Sequence, residues 1–209
     1  MIKLSFRLSG ELPLDTNLII SSLPFGEEEI QRLLSIKNND AQRLSLSALL
    51  ALSDTLSAEN NCTILRTENR KPYFKDLPLS FSLSHIDHIA AAAVCDTPVG
   101  IDMEWLDDKR NVKAISSRFF SKDEQTNIAN SSDPLNSFFS AWTKKEAYAK
   151  LTGKGLASIY ASELPVGLFF RQYQLDLCGK KGILSICQQN NKEILILNPY
   201  DELKIIELN

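Results

Sequence analysis

The sequence predicts an α+β fold. Three observations carry that expectation. The chain opens on "MIKLSFRLSG", where Ile2, Leu4, Phe6 and Leu8 alternate with polar residues at the period of a strand. From Glu27 to Leu56 the apolar residues instead recur at helical spacing. The runs "FSLSH", "IAAAAVC" and "VGIDMEW" then return to strand character before a second strongly helical stretch, Pro134 to Leu151.

The helical stretch takes its apolar faces from Leu33, Leu34, Ala41, Leu44, Leu49, Leu50 and Leu52. Asn38-Asn39-Asp40 interrupts it, and Asp40 is placed as the N-cap of a second helix. "LRTENRKPYFKDLP" reads as a polar, proline-punctuated connector. "IAAAAVC" and "VGIDMEW", separated by the turn residues "DTP", read as a β-hairpin. Helices are expected around "VKAISSRFFS" and "SKDEQTNIAN", and short strands near Val166–Phe170, Gly182–Cys187 and Glu193–Leu197. No repeat, low-complexity tract or obvious linker divides the chain.

At 209 residues the chain is long enough to bury a core without staples, and 23% charged residues is ordinary for a globular protein. The net charge of -3 gives no overall attraction to nucleic acid or to an anionic membrane. The longest clean apolar run, Ile89 to Cys95, is too short to span a bilayer, and the N-terminus lacks the basic start and apolar core of a signal peptide. The cysteines, Cys62, Cys95, Cys178 and Cys187, contain no C-x-x-C pair. They are expected as reduced core fillers in a cytoplasmic protein, not as nucleophiles.

Chemistry concentrates in two stretches. "VGIDMEW" puts Val99, Ile101, Met103 and Trp105 on one face of a strand and Asp102 and Glu104 on the other. Two neighbouring acids suit either the solvated face of an edge strand or a hard-cation site, since Mg2+ needs few carboxylates beside its waters and substrate phosphates. "AWTKKEAYAKLTGKGL" sets one acid, Glu146, among Lys144, Lys145, Lys150 and Lys154. Glu146 and Lys150 share a helix face, with Trp142 one turn before them. A surface Glu–Lys pair leaves the lysine cluster unexplained. Metal plus phosphate explains it: the lysines face phosphates, and the acid faces the metal or takes a proton. His85 reads as a surface or capping residue after a strand more readily than as part of a metal site in "HIDH" with Asp87 and His88.

"GIDMEW" and "WTKKEAYAK" resemble the two signature motifs of the 4'-phosphopantetheinyl transferase superfamily, G-[IV]-D-x-E and W-x-x-K-E-x-x-x-K. "DAQR" at 40–43, "RKPYF" at 70–74, "SLSH" at 82–85 and "RFFSKDE" at 118–124 are similar to further family segments, in the family's order. The match is to the surfactin-type, monomeric two-lobed branch. It implies two similar α+β lobes related by a pseudo-twofold, here residues 1–98 and 99–209, with the cofactor in the cleft between them. It implies transfer of 4'-phosphopantetheine from coenzyme A to a serine of an apo acyl or peptidyl carrier protein, Mg2+-dependent, with release of 3',5'-ADP.

Carried over residue by residue, the resemblance gives Asp102, Glu104 and Glu146 to the metal. Glu146 is also a candidate base for the serine proton, directly or through a metal-bound water. Lys150 neutralises or protonates the leaving phosphate. Ser84 and His85 contact the coenzyme A phosphates, while Arg43 and Lys71 map to positions that hold the 3'-phosphate and the adenine nucleotide. The chain departs from the family upstream of Asp40, where only Arg32 and Lys37 remain of a basic cluster. Ala48 and Ala51 stand where an arginine often ends the next helix, and Arg70 replaces the glycine before Lys71. Two other readings use the same residues. A metal-dependent phosphohydrolase leaves "SLSH" and "RFFSKDE" unexplained. A non-catalytic homologue that binds nucleotide or carrier protein draws only on the departures.

Overall fold

The computed structural model describes residues 1–56, 61–159 and 163–208. In chain order the elements are β1 (Ile2–Leu8), α1 (Asn17–Ser21), α2 (Glu27–Leu34), α3 (Asn39–Thr55), β2 (Ile64–Arg66), β3 (Pro72–Phe74), β4 (Ser80–Ile86), β5 (Ile89–Cys95) and β6 (Val99–Trp105). They continue with α4 (Val112–Phe119), α5 (Lys122–Ala129), α6 (Pro134–Thr152), β7 (Phe169–Leu177), β8 (Lys180–Gln188), β9 (Ile194–Leu197) and β10 (Leu203–Leu208). The α+β class is as expected. The chain forms two compact units: Met1–Val99 with Asn191–Pro199, and Gly100–Asn190 with Tyr200–Asn209. No helix among the described residues is long and apolar enough to cross a membrane.

The first unit is built on a sheet of order β4-β5-β1-β9. Both edges of β5 are taken, by β1 and by β4, in antiparallel registers. The hairpin expected between "IAAAAVC" and "VGIDMEW" is therefore absent, and β6 belongs to the other sheet. The hairpin that does form joins β4 to β5 across Asp87 and His88, with Ile86 opposite Ile89 and Asp87 at φ 43°. That turn accounts for "HIDH". The alanines of β5 are all buried. Their small side chains let α3 lie close, and Leu46, Leu49 and Leu52 of α3 pack with Ala92, Val94 and Phe81. On β1 the polar alternates are used as well. Lys3 donates to the Thr55 carbonyl, and Arg7 forms a two-pronged pair with Asp54 at 2.6 and 2.7 Å.

Two local details correct the sequence reading of this unit. The cap of α3 is Asn38, whose side chain accepts from the Ala41 amide at 2.8 Å, while Asp40 lies inside the first turn. An N-cap oxygen must sit just outside the helix, and here the helix begins one residue before Asp40. The supposed connector contains the hairpin β2–β3, with Ile64 opposite Phe74 and both buried. Its turn holds Arg70 at φ 63°.

The second unit has the sheet order β10-β7-β8-β6, with β6 at an edge and α6 packed on β8. Each helix has an explicit start. Asn111 caps α4, Ser121 and Glu124 form a reciprocal capping box on α5, and Asp133 caps α6 with Pro134 in its first turn. Gly153 ends α6 at φ 70°. The core is aromatic: Phe119, Phe120, Phe138, Phe139 and Trp142 are buried, with Trp142 edge-on to Phe119 at 5.2 Å. The strand expected at Val166–Phe170 is β7, which starts at Phe169, and Val166 is 99% exposed. β10 had no strand signal in the reading above. Cys178 is not a core filler: it is exposed, at φ 52°, beside Gly179 in the turn from β7 to β8. Cys62, Cys95 and Cys187 are buried, and burial pushes the Cys62 thiol up to about 11 and Cys187 to about 12.

Candidate active site

The site grows from one close packing. An added Cβ at Gly100 would sit 2.0 Å from the Ala147 carbonyl oxygen and 2.5 Å from the Leu151 amide nitrogen. Only glycine lets β6 lie this near the backbone of α6. That accounts physically for the first residue of "GIDMEW". Close approach then brings side chains of the two elements together. Lys150 Nζ donates to Asp102 Oδ1 at 2.8 Å, and Trp142 Nε1 donates to Glu104 Oε1 at 3.3 Å.

The spacing of Asp102 and Glu104 left open a solvated edge-strand face. The structure removes that option, since Asp102 is only 4% exposed. Its counter-charge is Lys150, so the lysine that shares a helix face with Glu146 reaches across to the strand acid. Glu104 meets a residue the sequence reading missed. Arg110 Nη1 lies 2.7 Å from Glu104 Oε2, with its guanidinium over the Phe139 ring at 5.9 Å from the centroid. The signal was present as "DDKR" just beyond the strand, but a loop arginine has no spacing that ties it to a partner.

Glu146 is the perturbed group. Burial first, then the neighbouring negative charge of Asp102, pushes its carboxyl from an ordinary 4.5 up to about 7; Glu104 adds to the rise, while Lys150 and Arg110 oppose it. Burial likewise raises the Glu104 carboxyl, with Arg110 opposing. Asp102 and Glu104 thus both act through charge on Glu146 in a partly desolvated place. Their oxygen-only donor set suits a hard cation, and a dication would relieve the repulsion among them. The donor set therefore fits Mg2+ by chemistry and by charge. Among the described residues, no three His, Cys, Asp or Glu side chains are already gathered as a metal cluster. Lys150 and Arg110 carry the compensating charge in this structure.

The lysines of the helix do not act as one group. Lys145 is wholly buried, paired with Glu124 at 3.1 Å and lying over the Phe120 ring. It cannot face a phosphate from there, which corrects the expectation that all the lysines do so. Glu124 uses its other oxygen, Oε2, to accept from the Ser121 amide in the capping box. "RFFSKDE" thus encodes a core phenylalanine pair, a helix start and a strut to α6. Lys144 is half-buried, and burial lowers its pKa.

The remaining sequence-predicted residues all lie in the first unit. Ser84 is buried and His85 exposed, as neighbours on a strand that point to opposite faces. Lys71 follows Arg70 in the β2–β3 turn, half-buried, with its pKa lowered by burial. Arg43 donates to the carbonyls of Ser9, Leu12 and Pro13 at 2.5–2.8 Å, which anchors the segment after β1. Arg32 is engaged with buried Glu29, as is Arg66.

The family model for the 4'-phosphopantetheinyl transferase superfamily matches residues 98–188, from the start of β6 to the end of β8. The 4'-phosphopantetheinyl transferase ffp of Bacillus subtilis is 32% identical over 155 residues, 64% of this chain and 68% of that protein. The 4'-phosphopantetheinyl transferase psf-1 of Bacillus pumilus is 43% identical over 100 residues, 45% of this chain and 41% of that protein. The 4'-phosphopantetheinyl transferase gsp of Aneurinibacillus migulanus is 33% identical over 137 residues, 62% of this chain and 55% of that protein. The chain spans about half the length of these last two relatives.

Proposed function

The chain belongs to the 4'-phosphopantetheinyl transferase superfamily, and on that premise we propose that it transfers 4'-phosphopantetheine from coenzyme A to a serine hydroxyl of an apo acyl or peptidyl carrier protein, releasing 3',5'-ADP. The observation that carries the reading is the meeting of Asp102 and Glu104 on β6 with Glu146 and Lys150 on α6. These are the residues that the two signature motifs single out, and they are coupled through charge.

The reaction joins a serine oxygen to the phosphorus of a pyrophosphate and breaks the bond to the departing phosphate. Negative charge on that pyrophosphate repels the incoming oxygen, so the protein must offset it. Asp102, Glu104 and Glu146 are the residues that would hold Mg2+, which when bound supplies charge neutralisation at the phosphates. Glu146 takes the serine proton. Lys150, 32% exposed along its side chain, moves its charge from Asp102 to the departing phosphate. Ser84, His85, Lys71 and Arg43 bind coenzyme A in this reading.

The test is mass spectrometry of apo acyl and peptidyl carrier proteins incubated with coenzyme A, Mg2+ and the protein. The expected result is a carrier heavier by one phosphopantetheine group, with 3',5'-ADP in equal amount. Release of inorganic phosphate from nucleotides with no change in any carrier would replace this reading with the phosphohydrolase.

A further inference from the structure

The opposite side of α6 carries a second feature. A cavity of about 360 Å³ opens between α5 and α6, lined by Asn127 and Ile128 from α5, by Ser137, Ala141 and Lys144 from α6, and by Leu164. At 3.6 residues per turn, Lys144 stands about half a turn round the helix from Glu146. The cavity is therefore separate from the group of acids that Glu146 joins.

Its electrostatics are uneven. Lys145 and Lys150 each face a carboxylate. Lys144 has none within ion-pair distance among the described residues, and it is half-buried in the cavity wall. Glu124 reaches the cavity wall, but one of its oxygens is held by Lys145 and the other by the Ser121 amide. A desolvated ammonium gains most from an anion that enters the same cavity. Asn127 and Ser137 offer neutral donors beside it, while Ile128, Ala141 and Leu164 offer apolar wall. One cation with neutral donors balances one negative charge. A phosphate dianion would leave a charge uncompensated.

We infer that this cavity is a binding site for a small carboxylate with a short apolar tail, its carboxylate on Lys144 and its tail against Ile128, Ala141 and Leu164. The site goes beyond the transferase reading and does not depend on it.

Butyrate is the probe. The full-length protein, labelled with ¹⁵N, is titrated with sodium butyrate, butyramide or inorganic phosphate at matched ionic strength, following the amides of Asn127, Ser137 and Lys144. Saturable shifts with butyrate at a Kd of roughly 10 mM or tighter are expected, in the range open to so small a ligand. Butyramide, which has the shape without the charge, is expected to bind at least about tenfold more weakly, one charge contact being worth roughly 1.4 kcal/mol or more. Phosphate should bind more weakly than butyrate. Lys144→Met keeps the stem and should abolish the saturable shifts. The inference is overturned by the absence of saturation with butyrate, by equal binding of butyramide, by tighter binding of phosphate, or by a folded Lys144→Met protein that still binds. The comparison of butyrate with butyramide is made on the wild-type protein, so it stands even if the variant misfolds.

Discussion

Lys150 and Asp102 meet at 2.8 Å, an ion pair that ties the last turns of α6 to the edge strand β6. Asp102 is nearly inaccessible to water while Lys150 is partly exposed, so the pair is asymmetric. Losing the lysine strips charge compensation from a buried acid. Losing Glu146 removes a charge that the site already disfavours.

That asymmetry separates two variants. Glu146→Gln is expected to fold normally and keep coenzyme A binding, and to lose transfer by about 10²-fold or more, as for a positioned proton acceptor. Lys150→Ala should lose transfer, weaken coenzyme A and lower the melting temperature, since Asp102 is left without that counter-charge. Transfer is read by mass spectrometry, binding by calorimetry and melting by circular dichroism. Retention of more than about a tenth of turnover by Glu146→Gln would remove it from the chemistry.

The pH dependence of the metal-free protein follows from Glu146. Its carboxyl titrates near 7 in the folded protein against an ordinary 4.5. Between these values the folded state holds a proton that the unfolded chain has released, so stability falls as pH rises. The contribution is complete below about 4.5 and lost through about 7. Thermal melts in chelator from pH 4.5 to 8 should therefore show a downward slope that Glu146→Gln flattens. Mg2+ added at pH 7 should release protons from the wild type and fewer from the variant. Parallel slopes for the two proteins would contradict the assignment.

Gly100→Ala tests the packing that assembles the site. A methyl group there overlaps the α6 backbone, which cannot swing aside as a side chain can. Overpacking of this kind costs about 1–3 kcal/mol or more, and here β6 must also move away from α6. The variant should melt lower and lose transfer even where it remains folded. Unchanged activity in this protein would mean that the two elements are less closely set than described.

Arg70→Gly should stabilise the protein. An L residue in the left-handed region costs roughly 1–2 kcal/mol, while glycine costs about 0.5–1 kcal/mol in chain entropy. The net gain expected in a urea melt is about 0.5–1 kcal/mol. A loss of stability would show that the Arg70 side chain, set beside Lys71, earns back more than its backbone strain.

The strut between α5 and α6 should break unequally. Glu124→Ala leaves the wholly buried Lys145 ammonium without its carboxylate, a change of the sort that costs about 3–5 kcal/mol. Lys145→Met removes the buried charge itself and leaves Glu124 partly in water, so it should cost distinctly less. Equal losses in chemical denaturation would argue that the pair acts only through packing.

The parts legible in the sequence were those fixed by local pattern. The alternation of "VGIDMEW" separated Asp102 and Glu104 from Ile101 and Met103, and the helical period of residues 134–151 put Trp142, Glu146 and Lys150 on one stripe. What stayed illegible was pairing at a distance. Nothing in "IAAAAVC" says that both its edges are filled by β1 and β4, so its apparent hairpin with β6 was an artefact of sequence proximity. Lys145 and Lys144 look equivalent as letters. Only the packing of α5 makes one a buried strut and leaves the other in a cavity. Arg110 escaped because it follows its strand in a loop, where no periodicity assigns a direction.

The strand Ile194–Leu197 pairs in parallel with Ile2–Ser5, at the other end of the chain. On the ribosome β1 is made long before β9, with the segment Gly100–Asn190 between them. Until β9 is made, one edge of β1 therefore has no strand to pair with, a template for unwanted β-addition. The order of translation is thus not the order of assembly: the sheet that β1 begins is completed only after the segment Gly100–Asn190 of the other unit has been made. A nascent chain stalled before residue 194 should expose that edge, and the emergence of β9 should close it.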